Sequence, residues 1–283
     1  TPPPPPTTGC TYDAATKTAT ALLAPGEVAT LVVVGAEIHF GTAPAACGAA
    51  TTANTDSITV KGAAGSVETL TIDQSGGLFA PGATAEANGV SEIEMSVLLG
   101  DATDVVVVNG TAAADTISVG TNGFAFTTDA DADVSLSPLP AAVEIFGFAG
   151  PNTLTGRGGS GAGSPFPGKL VLHAGDSGDT LQGGAGDDEL HGGAGNDVLE
   201  GRDGNDTAYG GAGNDSVAGN DGHDELVGGA GLDALIGGDG DDVMRADDDE
   251  ADTNLSGGPG NDTAYYDEGI DVTPVAVETK IPA

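Results

Sequence analysis

Aspartate stands at positions 179, 188, 197, 206, 215, 224, 233 and 242, every step being nine residues. Two places after each comes Leu181, Leu190, Leu199, Ala208, Val217, Leu226, Leu235 and Met244. Complete GGxGxD hexapeptides occupy 183–188, 192–197, 210–215, 228–233 and 237–242; a sixth, 257–262, follows an insertion containing DDDEAD (247–252). AGDSGD (174–179), GRDGND (201–206) and GNDGHD (219–224) are degenerate copies. An odd period excludes one long strand, because strands alternate faces every two residues. Nine fits six turn residues followed by a three-residue strand, so two units make a flattened coil of eighteen residues with a short strand on each side. The eighth-place side chain is then mid-strand and points inward. The glycines take turn conformations that a Cβ resists, let neighbouring coils approach, and leave carbonyl oxygens facing a cation.

Aspartates eighteen apart stack on one edge, giving the columns Asp179, Asp197, Asp215, Asp233 and Asp188, Asp206, Asp224, Asp242. At a strand spacing of roughly 4.8 Å, such carboxylates repel unless a hard divalent ion lies between them. Carboxylate plus backbone carbonyls at about 2.3–2.6 Å is calcium chemistry, whereas magnesium demands stricter octahedra. The predicted object is a calcium-filled parallel β-roll. Composition agrees: 43 acidic against 7 basic side chains give a formal net charge of -36. That self-repulsion disfavours a compact chain without cations and argues against nucleic acids and anionic membranes as partners. With 48 glycines, 4% aromatics and no tryptophan, the core is expected to be thin and built of Val, Leu, Ile and Ala. A flexible acidic linker would not hold an aliphatic residue in one phase through eight cycles.

The tandem GGAGDDELH, GGAGNDVLE, GGAGNDSVA and GGDGDDVMR resembles the RTX, or haemolysin-type calcium-binding, repeats of secreted bacterial proteins, over residues 174–265, about a third of the chain. The resemblance implies several Ca2+ ions held between successive turns by the sixth-place aspartates, Asp262 among them, and by carbonyls of the glycine-rich loops. Those carbonyls belong to Gly183, Ala185, Gly192, Ala194, Gly201, Asp203, Gly210, Ala212, Gly219, Asp221, Gly228, Ala230, Gly237 and Asp239. Three departures bear on the ends of the columns. Leu232 replaces the usual polar fifth residue, Ser177 a fourth-place glycine, and Ala251 the next aspartate in register.

Upstream, TDSITV (55–60), ETLTID (68–73), DVVVVNG (104–110), ADTISVG (114–120), DVSLS (133–137), VEIFG (143–147), NTLTG (152–156) and KLVLHAG (169–175) read as short strands between Gly, Asn and Asp turns. ADTISVG and NTLTG look like worn copies of the DTLxG stretch. Residues 53–173 are therefore expected to be an irregular β-solenoid or β-rich segment, with a separate β-sandwich as the alternative. This segment is also similar to the lead-in found before such repeats in actinobacterial calcium-binding proteins. The fold class is all-β.

Residues 9–52 read as a small β cap pinned by a Cys10–Cys47 disulfide. Two isolated cysteines without CxxC or a paired histidine make a poor zinc site, and a disulfide fits an exported protein better than a reactive thiol. Solenoid ends expose unpaired strand edges, so caps are expected. Residues 266–283 form the opposite cap or tail, the stretch TAYYDEGIDVTPVAVE (263–278) supplying aromatics and one more strand. The head, residues 1–8, is a proline-rich extended arm. Without an initiator Met it reads as a mature chain whose leader has been removed; a chain shortened there would read alike. The best apolar stretch, 21–40, is interrupted by Pro25, Gly26 and Glu27, so no integral membrane span is expected.

Catalytic patterns fail on inspection. GSPFPGKL (163–170) has Leu170 where a phosphate loop needs Ser or Thr. GRGGSG (156–161) lies in no βαβ unit, and DADADV (129–134) lacks the later EF-hand ligands. HExxH and GxSxG do not occur, and His39, His173, His191 and His223 are scattered, the last two reading as solvated. The expected function is that of a secreted, extracellular calcium-binding structural or interaction protein, in a surface layer, adhesin or assembly. Its partners would be calcium, further copies of itself or cell-surface components. A polysaccharide-acting β-helix enzyme is a second reading, weakened because 53–173 offers only Lys61, Arg157 and Lys169 as bases. An ice-type flat binder is a third, but the third place from 185 to 239 reads Ala, Ala, Asp, Ala, Asp, Ala, Asp, with no Thr.

Overall fold

The computed structural model describes residues 8–55, 57–62, 67–75, 94–99, 103–113, 115–125, 134–158, 162–268 and 270–282. Residues 1–7 of the proline arm and most of DADADV lie outside them, as do residues 159–161 of GRGGSG. Among the described residues every regular element is a strand, and no helix is long and apolar enough to cross a membrane. The architecture is a parallel β-roll with β-solenoid pairing upstream, in two compact units. One comprises Thr1–Thr111, Thr121–Glu144 and Ser160–Gly163; the other Ala112–Gly120, Ile145–Gly159 and Ser164–Ala283.

In the first unit two parallel ladders form. Thr18–Leu22 pairs with Ser57–Lys61, which pairs with Glu94–Leu98, which pairs with Val134–Leu136. Val28–Val34 pairs with Thr69–Asp73, and that with Val105–Asn109. Strict alternation places one set of side chains inside. Ala19 and Ala21 stack over Ile58 and Val60, then over Met95 and Val97. Leu31, Ile72 and Val108 do the same on the second ladder, all buried. The N-terminal end turns antiparallel: Gly9–Asp13 folds on Thr18–Leu22, and Val28–Val34 on Glu37–Gly41, which in turn pairs with Ala45–Thr51. The Cys10–Cys47 disulfide joins the two outermost strands of this end, Gly9–Asp13 and Ala45–Thr51.

In the second unit the eighteen-residue coil is explicit. Thr180–Gln182, Val198–Asp203, Ser216–Asp221 and Ala234–Asp239 pair in parallel, with Leu181 over Leu199, Val217 and Leu235. Opposite, Glu189–Ala194, Thr207–Ala212, Glu225–Ala230 and Val243–Ala246 stack Leu190, Ala208, Leu226 and Met244. These eight core side chains are fully buried. Most roll strands run six residues rather than three. The first places of each turn stay extended enough to continue the ladder, as in Gly193 opposite Gly211. Thr263–Tyr266 and Thr279–Pro282 prolong one ladder at the C-terminal end.

All eight upstream stretches read as strands are strands; Glu94–Leu98 and Gly123–Ala125 are additional. His191 is not simply solvated. In-register pairing puts His173, His191 and Tyr209 directly over one another. Their rings and that of Phe146 form a stack with successive centroids 4.5, 4.7 and 5.0 Å apart. His223 is exposed, its Nδ1 accepting the Asp241 N–H at 2.7 Å.

Candidate metal centre

Each sixth-place aspartate lies where a turn becomes a strand. Its backbone is held by the next coil: Val198 N–H donates to Asp179 O, Thr207 N–H to Asp188 O and Ser216 N–H to Asp197 O, each at 2.9 Å. Its side chain is swept inside, and Asp179, Asp188, Asp197, Asp206, Asp215, Asp224, Asp233, Asp242 and Asp262 are all 3% exposed or less.

The two carboxylate oxygens have different surroundings. One accepts the N–H of the aspartate one coil earlier. Asp179 N–H donates to Asp197 Oδ1 at 2.7 Å, Asp188 to Asp206 at 2.7 Å, Asp197 to Asp215 at 2.8 Å and Asp206 to Asp224 at 2.7 Å. Asp215 to Asp233 at 2.8 Å and Asp224 to Asp242 at 2.9 Å continue the two columns. The other oxygen, Oδ2, is buried without a hydrogen-bond partner in Asp179, Asp197, Asp206, Asp215, Asp224, Asp233, Asp242, Asp252 and Asp262. Asp188 differs: its Oδ2 accepts the Gly184 N–H at 2.6 Å and its Oδ1 the Leu170 N–H.

The first-place glycine leaves room for what Oδ2 faces. A Cβ on Gly192 would lie 2.5 Å from both Asp197 Oδ2 and the carbonyl oxygen of Gly210; on Gly210 it would lie 2.5 Å from Asp215 Oδ2 and 2.6 Å from Gly228 O. The same pairing recurs at Gly183 (Asp188 with Gly201 O), Gly219 (Asp224 with Gly237 O) and Gly237 (Asp242 with Gly257 O). A buried carboxylate oxygen and the first-place carbonyl of the next coil thus converge, both acceptors. The fourth-place glycine serves the turn itself: Gly195 has φ +128° and lies against the Ser177 backbone. Third-place carbonyls are partly used. Those of Ala212, Asp221, Ala230 and Asp239 accept the N–H of Gly195, Gly204, Gly213 and Gly222 at 2.8–3.0 Å, which leaves one lone pair each. Ala194 and Asp203 hold the same place one coil upstream.

Burial sets the electrostatics. It pushes Asp206 up to about 8, against the backbone N–H of Asp188, which lowers it; neighbouring carboxylates raise it further. Asp188 and Asp252 rise to about 7, Asp215 and Asp224 to about 6, burial again leading. Asp179, Asp197, Asp233, Asp242 and Asp262 are raised for the same first reason. Metal-free, these columns resist full ionisation.

The columns run further than the nine-residue register foretold. Ala251 is skipped by a one-residue slip, and Asp252 takes the place: Asp233 N–H donates to Asp252 Oδ1 at 2.7 Å, and Asp252 N–H to Asp271 Oδ1 at 2.9 Å. The other column continues from Asp242 N–H to Asp262 Oδ1 and from Asp262 N–H to Glu278 Oε2, both at 2.9 Å. The signal for Asp252 was present in DDDEAD, one residue out of phase.

Among the described residues no three or more His, Cys, Asp or Glu side chains gather as a metal site. An ion here must draw mainly on carbonyls. Hard oxygen donors, no thiolate and no imidazole suit calcium, and the partnerless Oδ2 atoms are what a cation would satisfy. The residues present fit the ion.

Residues 173–208, 191–226, 200–235, 218–250 and 254–272 each match the family model described as the RTX calcium-binding nonapeptide repeat (4 copies). Nothing among curated proteins matches the chain. The C-terminal half of the chain therefore carries RTX calcium-binding repeats, stacked as a roll of buried aspartates.

Proposed function

We propose that this protein is an extracellular structural or interaction protein whose second unit is set rigid by several calcium ions, one for each meeting of a sixth-place Oδ2 with a first-place carbonyl. The observation that carries the reading is the set of nine buried aspartates with a partnerless Oδ2. Bound calcium would supply positive charge and oxygen coordination. The chain's own residues do the rest: Oδ1 ties each aspartate to the previous coil, the first-place glycine admits the carbonyl, and the leucine column excludes water. The ligands proposed are the aspartates from Asp179 to Asp242 with Asp262, the first-place carbonyls of Gly183, Gly192, Gly201, Gly210, Gly219, Gly228 and Gly237, and the remaining lone pairs of third-place carbonyls.

Export is supported by the disulfide and by a site chemistry suited to the roughly 10⁻⁴–10⁻³ M affinities of extracellular modules. A net charge of -36 destabilises the compact chain until cations arrive. Surface layer, adhesin or assembly component are the roles this suits, with other copies or cell-surface components as partners and no reaction performed. Calcium stoichiometry by mass spectrometry, with circular dichroism in calcium and in chelator, tests the core of the proposal. Several ions per chain and a strand signal weakened in chelator, with a lower urea midpoint, are expected; an unchanged spectrum and midpoint with no bound calcium overturn it. Sedimentation in millimolar calcium tests assembly, a persistent monomer removing that role. Turnover of a polysaccharide, abolished by a carboxylate change within 53–173, would replace the non-enzymatic reading.

A further inference from the structure

The aspartate ladder does not begin at Asp179. Asp179 Oδ1 accepts the N–H of Asn152, and Asn152 Oδ1 accepts the N–H of Asp115 at 3.0 Å. The backbone ladder follows the same course, Thr180 N–H donating to Asn152 O at 2.9 Å and Thr153 N–H to Asp115 O at 2.7 Å. Leu154 stacks on Leu181 in parallel register. Asn152 therefore stands at a sixth place. Its loop, GFAGPN (147–152), keeps glycine at the first and fourth places, and Phe148 at the second has φ +65°. Arg202 and Asn220, second-place residues of degenerate copies, likewise have φ +89° and +78°.

What differs is the second side-chain atom. A Cβ on Gly147 would lie 2.6 Å from Asn152 Nδ2 and 2.8 Å from the carbonyl oxygen of Ala174. On Gly192 the matching atoms are Asp197 Oδ2 and Gly210 O. Nitrogen thus replaces Oδ2 at the same point, beside the first-place carbonyl of the next coil. Asn152 Nδ2 donates to that carbonyl at 3.2 Å. The amide orientation is fixed by its partners: reversing it would set N–H against the Asp115 N–H and oxygen against the Ala174 oxygen. Asn152 is 2% exposed.

We infer that Asn152 ends the cation column. In the roll, two acceptors converge and call for a cation; at this coil a donor meets an acceptor and the contact closes with no net charge. The amide N–H does locally what the ion does further along. Column length is set by one heteroatom, and Asn152→Asp would restore the pair of acceptors and create one more calcium site. This inference rests on the calcium reading of the roll.

The test is calcium stoichiometry of the full chain, by elemental mass spectrometry after desalting from millimolar calcium chloride. Wild type and Asn152→Asp are compared, with Asn152→Ala as an independent check. Expected are one additional ion per chain for Asn152→Asp and the wild-type number for Asn152→Ala. Equal counts in wild type and a folded Asn152→Asp would overturn the inference while leaving the roll's calcium intact. Loss of one ion in Asn152→Ala would also overturn it, by showing that the amide oxygen is itself a ligand. A wild-type chain that binds no calcium removes the underlying reading and the inference with it.

Discussion

Replacing Asp206 by Asn isolates the charge from the shape. Asp206 is 1% exposed, and burial raises its carboxyl to about 8 in the metal-free fold. A folded value above the unfolded one, about 4, means that the folded chain holds more protons between those limits. Metal-free stability therefore falls as pH rises from about 4 to about 8 and is regained on acidification. At pH 7 the cost of ionising Asp206 is on the order of 4 kcal/mol by linkage, and about half that after a discount for solvent screening. Asp206→Asn removes this cost and keeps the oxygen that accepts the Asp188 N–H. In chelator at pH 7.5 the variant should be the more stable by about 2–4 kcal/mol, with the difference vanishing near pH 4. In millimolar calcium the order should reverse, because the variant has lost a ligand. Urea unfolding followed by circular dichroism, across pH and with and without calcium, measures both. A metal-free wild type more stable at pH 8 than at pH 5, or an Asp206→Asn variant destabilised in chelator, would refute the reasoning.

Gly192→Ala sets a Cβ 2.5 Å from both Asp197 Oδ2 and Gly210 O; a loss of about 1–3 kcal/mol and a raised calcium midpoint are expected in titrations followed by circular dichroism. Asp206→Ala should lower bound calcium and folding midpoint more than Asp179→Ala, since the Asp206 N–H and carboxylate link Asp188 and Asp224 within the column whereas Asp179 borders the amide of Asn152; equal losses by elemental mass spectrometry would contradict the column. Reducing Cys10–Cys47, which closes a separation of 37 residues, should cost the first unit about 3–4 kcal/mol in urea melts and leave calcium stoichiometry unchanged.

The roll was readable because its period is rigid. Asp and Leu nine residues apart can satisfy both a buried core and a buried ladder only as an eighteen-residue coil. Asp252 is hidden in the sequence because the insertion adds one residue between Asp233 and Asp252 and a second before the strand, where Leu235 pairs with Leu255. Asn152 escaped for a chemical reason: amide and carboxylate have the same shape, and which atoms converge is visible only in three dimensions. Upstream, coils of different length carry no fixed offset. Glu94–Leu98 alternates Met95, Val97 and Leu99 inward, yet no repeated turn announces it in the sequence. The His191 stack depends on what lies eighteen residues to either side, His173 and Tyr209, and so on register rather than local composition.

The hydrogen bonds from aspartate N–H to carboxylate all run one way along the chain. Asp188 needs the side chain of Asp206, and Asp206 that of Asp224, each eighteen residues later. A nascent chain appearing N-terminus first must extend about 60 Å further before any one coil can be completed. Each coil is finished by its successor, and the last depends on Asp271 and Glu278. For these aspartate bonds trimming is therefore asymmetric: a cut at the front leaves each remaining column aspartate N–H its carboxylate acceptor, whereas a nick near the tail strips that acceptor from the coil in front of it.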